Sequence, residues 1–179
     1  MRRSLFCLVA GCLVLLGTAC APPQSEPRIA SEIEVFNAKD DIHKLLDEWH
    51  FDAARARGEQ YFSKFTDDAI FIGTDATEYW TKQDFFEYAD PIFSQGRGWR
   101  FGVMVRNIYL SEDAKLAWFD EEISSASYQT LRGSGTLIKQ DSVWKIAHYN
   151  LAFAIPNDIA SDVAKSIKEH FDNQAKAGN

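Results

Sequence analysis

Cysteine is almost absent from this chain of 179 residues: Cys7, Cys12 and Cys20 all fall within the first twenty positions. From residue 21 onward there is therefore no disulfide framework, no thiol nucleophile and no thiolate metal site. Positive charge is scarce too. Nineteen Lys and Arg stand against 26 Asp and Glu, a formal charge of −7, and no basic stripe runs through the sequence. Such a chain is unsuited to the phosphate backbone of nucleic acids or to anionic membrane surfaces. The longest apolar run, residues 5–16, falls short of the roughly 20 residues that span a bilayer. Glycine supplies neither a phosphate loop nor a dinucleotide fingerprint. Gly133-Ser134-Gly135 lacks the outer glycines of a nucleophile elbow. His43 and His50, seven apart, lack the close spacing of a zinc pair. No metal ion and no cofactor are expected.

The N-terminus has a layout of its own. Arg2 and Arg3 precede the apolar run, and Gly17, Thr18 and Ala19 lead to Cys20. A charged start, a short apolar middle and a small-residue exit mark residues 1–19 as a secretory signal peptide. Its end resembles a bacterial lipobox, in which the cysteine after the cut is acylated, with Gly17 where that motif usually carries leucine. Cys20 is the expected lipidation site, since several acyl chains anchor stably where one does not. The expected location is the bacterial cell envelope, as a membrane-anchored lipoprotein facing the periplasm or the exterior. Without Arg2 and Arg3, 17 basic groups face 26 acidic ones, a net −9. Residues 20–30 then form the lipidated cysteine and a polar, proline-broken tether, and residues 31–179 the domain.

What the chain has in quantity is aromatic rings: 13 Phe, 6 Tyr and 5 Trp, enough to fill a core or to line a cavity for an apolar ligand. From about Ser31, Ile42, Leu45, Leu46, Trp49 and Ala53 recur at helical spacing. A short second helix over "EQYFSKF", a turn at residues 66–68, a strand over "AIFIG" and a hairpin arm over "TDATEYW" follow. Thr81 and Asp84 match a helix-capping pattern ahead of "FFEYADPIF", which Pro91 ends or kinks. Four long strand candidates occupy about residues 99–110, 115–124, 128–139 and 143–155. Their connections are too short for crossover helices, so they form an antiparallel meander. A last helix covers about residues 158–173, with Ile159, Val163, Ile167 and Phe171 four apart. Helices followed by a meander predict an α+β fold, with helices on one face of a curved sheet.

"LAWFDEEIS", "LRGSGTLIKQDSVWKIAHYNLAFAIPN" and above all "WKIAHYN" carry a family resemblance. Over residues 33–157 the chain resembles the SnoaL-like branch of the nuclear transport factor 2-like superfamily. The resemblance implies a cone-shaped α+β fold whose antiparallel sheet wraps a pocket, often in a homodimer. It also implies a range of activities, from ketosteroid isomerases, polyketide cyclases and dehydratases to members with none.

Register arithmetic gives the pocket candidates. Read as a strand, "VWKIAHYN" places Trp144, Ile146, His148 and Asn150 on one face. Turns centred on Ala126 and Asp141 would align Asp120, Arg132 and Asn150 in one row and Trp118, Ser134 and His148 in the next. Thr136 and Ile146 would lie below, so that a polar rim stands over an apolar floor. A single bulge would instead turn Leu131 and Leu137 inward. Asp120 and Arg132 also fit a structural ion pair, and His148 a hydrogen-bonded core histidine.

Three functions suit these residues. The first is a binding module for a small, largely apolar molecule, using Trp118, Arg132, Ser134 and Asn150. The second is a proton-transfer enzyme of the isomerase, cyclase or dehydratase type. Its general base would be His148 or Asp120, with Arg132 or Asn150 stabilising an enolate-like oxygen. The third is a dimerisation or interaction module without catalysis.

Overall fold

The first helix starts where its cap dictates. The Ser31 hydroxyl accepts from the Glu34 backbone N–H while the Glu34 carboxylate accepts from the Ser31 N–H, a reciprocal capping box. The computed structural model describes residues 28–177. From this cap, α1 (Glu32–Ala54) buries Ala38, Ile42, Leu46, Trp49 and Ala53 along one stripe. A short α2 (Gly58–Ser63) follows and adds Tyr61 and Phe62 to the same core. Thr81 and Asp84 repeat the capping box at the start of α3 (Lys82–Phe93). That helix runs two residues beyond Pro91, because a proline this near the end disturbs only the last turn.

The strands are β1 (Phe65–Ile72), β2 (Tyr79–Thr81), β3 (Gly102–Leu110), β4 (Leu116–Ser125), β5 (Gln129–Gln140) and β6 (Val143–Phe153). They form one six-stranded sheet in the order β2-β1-β6-β5-β4-β3. β3 to β6 make the expected antiparallel meander, while β1 joins β6 in parallel. Residues 66–68, expected as a turn, belong to β1, where a register irregularity between Phe65 and Ile70 absorbs the bend. The fold is the expected α+β arrangement, a curved sheet carrying α1, α2 and α3 on one face.

The meander register differs from the expected one, for two local reasons. Asp141 and Ser142 have φ of 47° and 71°, and Gln140 pairs with Val143. This is a two-residue hairpin turn of the type that needs positive φ at both positions, one residue shorter than the expected loop. A bulge at Ala147 then shifts β6 again, since Leu137 pairs with Ile146 but Thr136 with His148. Across β4 and β5, Asp120 lies opposite Ser134 rather than Arg132.

The inward rows are therefore Ala117/Leu137/Ile146, Phe119/Gly135/Tyr149, Glu121/Gly133/Leu151 and Ile123/Leu131/Phe153. Trp118, Asp120, Arg132, Ser134, His148 and Asn150 do share a face, but it is the outer one, turned away from the helices. Leu131 and Leu137 do face inward and are fully buried, but the two-residue turn rather than the bulge places Leu137 there, since it pairs with the inward Ile146 ahead of Ala147.

The expected signal peptide, Cys20 and the expected tether up to residue 27 lie outside the described residues. Residues 28–30, expected as the end of a tether, are fastened to the domain: the Arg28 guanidinium donates to the Asp113 carbonyl at 3.0 Å, and the Ala30 N–H donates to the Glu112 carbonyl at 2.7 Å. The last helix, α4 (Ala160–Ala177), has the expected period yet buries none of its residues.

Candidate functional site

Between the helices and the inner face of the sheet lies a cavity of about 120 Å³. Its walls come from α1 (Trp49, His50, Ala53), α2 (Tyr61), β1 and β2 (Phe71, Trp80), α3 (Phe85, Tyr88), the segment before β3 (Trp99, Phe101) and β6 (Tyr149, Leu151). The rings hold one another in place. Trp49 stacks on Tyr61 with centroids 5.2 Å apart and meets Tyr149 edge-on at 4.7 Å. Phe85 stacks on Phe71 at 4.0 Å and on Trp80 at 5.5 Å. Such contacts add about 0.5–1.5 kcal/mol per pair beyond burial and keep the walls rigid. Thr74 and Glu78 also line the cavity, from the β1–β2 connection, with Tyr128 from the β4–β5 turn.

One wall residue connects to a buried ionic chain. His50 Nε2 lies 2.7 Å from Glu121 Oε1, and both side chains are sealed from solvent. The Tyr149 hydroxyl donates to the same oxygen at 3.0 Å. Arg106 Nε donates to Glu121 Oε2 at 2.9 Å, and Arg106 Nη1 reaches Asp47 at 2.7 Å on the exposed side of α1. The elements explain this meeting. Glu121 interrupts the inward row Ala117, Phe119, Ile123 of β4, and Arg106 faces it across the β3–β4 ladder. His50 adjoins Trp49 on the buried side of α1, one turn beyond Asp47.

Gly133 keeps the space open: a Cβ there would collide with the Tyr149 hydroxyl and press on Glu121 Cγ. Any side chain at 133 would therefore separate the phenol from the carboxylate.

The electrostatics favour an ionised Glu121. Burial, the largest influence, pushes its carboxyl upward, but the His50 hydrogen bond and charge and the Arg106 guanidinium together hold it below the ordinary 4.5. As a carboxylate it can only accept, so His50 Nε2 carries a proton; in the neutral imidazole the lone pair is then on Nδ1. Burial, reinforced by the Glu121 charge, pushes the Tyr149 phenol well above 10.0, so it remains a donor. The arrangement is a base whose tautomer is fixed by a buried carboxylate, set in a cavity wall of aromatic rings. Among the described residues no cluster of His, Cys, Asp or Glu is arranged to hold a metal ion.

The sequence-based candidates sit elsewhere. Asp120, Ser134 and Asn150 form one outer row, Trp118, Thr136 and His148 the next, and Arg132 lies opposite Glu122 and Ala152. Asp120 accepts from Asn107 Nδ2 at 2.9 Å, and the Trp118 ring stacks on Tyr109 at 5.9 Å. None of the six lines the cavity. Glu121, the one charge in an otherwise apolar alternating row, was the available signal for the buried pair. His50 next to Trp49 was the second.

Residues 42–156 match the family model described as SnoaL-like domain. No curated protein matches the chain. Among solved structures, a protein described as a scytalone dehydratase from Novosphingobium aromaticivorans DSM 12444 aligns with a TM-score of 0.59 and 12% identity, covering 70% of this chain and 89% of that one. The hexachlorocyclohexane dehydrochlorinase LinA-type3 from Novosphingobium barchaimii LL02 aligns at 0.58 and 10% identity, covering 70% and 92%. An NTF2-like protein from Pseudomonas putida KT2440 aligns at 0.57 and 12% identity, again over 70% and 92%. At these identities the likeness is one of fold.

Proposed function

The chain belongs to the SnoaL-like domain family, and on that premise we propose that it binds a small, neutral, largely apolar molecule and moves a proton on it. The observation that carries this reading is the His50–Glu121 pair opening onto the aromatic cavity. His50 Nδ1 takes a proton from carbon, and the carboxylate of Glu121, 2.7 Å from Nε2, stabilises the imidazolium that forms. The same ring returns the proton at another position, which is isomerisation, or the carbanion expels a leaving group, which is elimination. The walls disfavour an anionic substrate: among the described lining residues none is Lys or Arg, while Glu78 supplies a carboxylate. Its size follows from the volume, about 120 Å³. This is just under the ~150 Å³ of a cavity that admits benzene, so a single ring is the upper bound on what it encloses.

The test is hydrogen–deuterium exchange at the α-carbon of single-ring ketones, cyclohexanone first, followed by proton NMR in heavy water. Wild type should exceed the buffer rate, and His50→Gln should lose ~10²-fold or more. Equal rates in both proteins remove His50 as the base.

Anchoring belongs to the same proposal. Cys20, the last of the three cysteines, would carry the acyl chains that hold the domain at the cell envelope. Metabolic labelling with a palmitate analogue should tag the wild type and not Cys20→Ser; equal labelling of both would refute it. A binding role without turnover is favoured by one feature, the predominance of rings over polar groups in the walls. Native mass spectrometry of protein purified from its own cell distinguishes the two. Retained ligand unchanged on incubation supports binding alone.

A further inference from the structure

We infer that the start of α1 is a membrane-docking surface: Ile29, Ile33 and Phe36 seat the domain on the lipid bilayer that holds Cys20. This rests on the anchoring proposed above and goes beyond it, from a tether to an oriented contact.

Ile29, Ile33 and Phe36 are 74%, 63% and 68% exposed. Ile33 and Phe36 share one face of α1, and Ile29 precedes them by the same kind of interval, just ahead of the Ser31 cap. Large apolar side chains grouped and left this bare mark an interaction site, whereas singly scattered ones do not. The same line along α1 continues through Asp40, Lys44 and Asp47, all exposed. Asp40 and Lys44 pair at 2.6 Å, and Asp47 holds Arg106 at 2.7 Å. Those charges stay in water, so α1 meets the surface by its first turns and leaves it from Asp40 onward.

The position of the stripe in the chain names its occupant. The link from Cys20 to Arg28 is eight residues, a reach of at most ~28 Å when fully extended. From Arg28 the chain is fixed to the domain through Asp113 and Glu112. An acylated Cys20 therefore keeps the stripe beside lipid, at a high effective concentration, and a weak apolar contact suffices to close. The contact works by apolar partition rather than by charge: Glu34 is held by Arg28 and Asp40 by Lys44, and the chain as a whole is acidic. A zwitterionic surface suits it. A second copy of the chain is the poorer occupant, because three side chains fall far short of the roughly 20–30 residues per partner in a stable interface. Docking also orients the cavity. His50 lies ~26 Å beyond Ile33 along the axis of α1, so the cavity sits at the end away from the contact and exchanges its ligand with the aqueous phase.

The experiment uses the mature, lipidated chain in phosphatidylcholine vesicles. One new cysteine carries an environment-sensitive dye, at Asn37→Cys beside the stripe or at Ser127→Cys in the β4–β5 turn, both exposed positions. Lipids bearing a nitroxide on the acyl chain should quench the dye at 37 by about twofold or more and leave the dye at 127 bright. Adding Ile33→Ser and Phe36→Ser to Asn37→Cys should abolish the quenching. Both replaced side chains are exposed, so the unfolding midpoint should be unchanged and misfolding does not confound the comparison. Equal quenching at 37 and 127, or none at 37 in protein that floats with the vesicles, overturns the docking and leaves the anchor standing. Protein that carries no acyl chain overturns the anchor and the docking with it. A dimer in analytical ultracentrifugation that Ile33→Ser with Phe36→Ser dissociates assigns the stripe to a second copy and likewise overturns the inference.

Discussion

Replacing Glu121 by Gln removes one charge at the centre of the buried chain and changes little else in shape. Glu121 is fully buried and accepts from His50, Tyr149 and Arg106. Breaking a buried pair at one partner costs ~3–5 kcal/mol because the other charge is left uncompensated. Two features place this case at the lower end. The Gln carbonyl still accepts from one donor, and Arg106 retains Asp47, whose side chain is 67% exposed and therefore the weaker partner. We expect a loss of ~3 kcal/mol at pH 7, read by chemical denaturation. Asp47→Asn, altering only that exposed partner, should cost ~1 kcal/mol or less.

The pH dependence has a fixed sign. The folded-state pKa of Glu121 is lowered from 4.5, so its stabilisation is fully present above that value. It is lost as pH falls through the folded pKa. The gap between wild type and Glu121→Gln should therefore be full at pH 7 and close only below about pH 4.5. A midpoint for Glu121→Gln equal to wild type at pH 7 would refute the buried ion pair.

Three further outcomes follow from the same geometry. Gly133→Ala, whose methyl would collide with the Tyr149 hydroxyl, should destabilise by ~2 kcal/mol as an overpacked core and perturb the near-ultraviolet tyrosine signal. Arg132→Leu should move the denaturation midpoint by no more than ~0.5 kcal/mol, because Arg132 is exposed on the outer face; a loss of several kcal/mol would place it in the core instead. The folded-state pKa of Tyr149 is raised above 10.0, so its contribution holds below that pH and fades above it. Tyr149→Phe should therefore flatten the alkaline limb of the stability curve.

The elements were legible in the sequence because their signals are local. The cap at Thr81, helical spacing from Ile42 to Ala53, and turn residues between the long strands each act within a few positions. The fold family was legible in "WKIAHYN" and its neighbours. The site was not, because side-chain direction in a strand has period two and one residue of register reverses it. A two-residue turn at Asp141-Ser142 and one extra residue at Ala147 sent His148 and Asn150 outward and Tyr149 inward. Nothing in local propensity distinguishes that turn from a three-residue loop. The grouping of Trp118, Asp120, Arg132, Ser134, His148 and Asn150 on one face survived; which face it was depended on packing against helices far away in sequence. The period of α4 was legible for the same local reason as that of α1, yet period alone does not supply a partner, and α4 buries nothing.

Two histidines, His50 in the cavity wall and His148 on the outer face, now stand as alternatives for the same chemistry. Proton exchange at the α-carbon of cyclohexanone in His50→Gln and His148→Gln, measured side by side with wild type, separates them directly. Loss of ~10²-fold or more in His50→Gln with a wild-type rate in His148→Gln is the expected result. A wild-type rate in His50→Gln, with the loss falling on His148→Gln, would contradict it and move the site to the other side of the sheet.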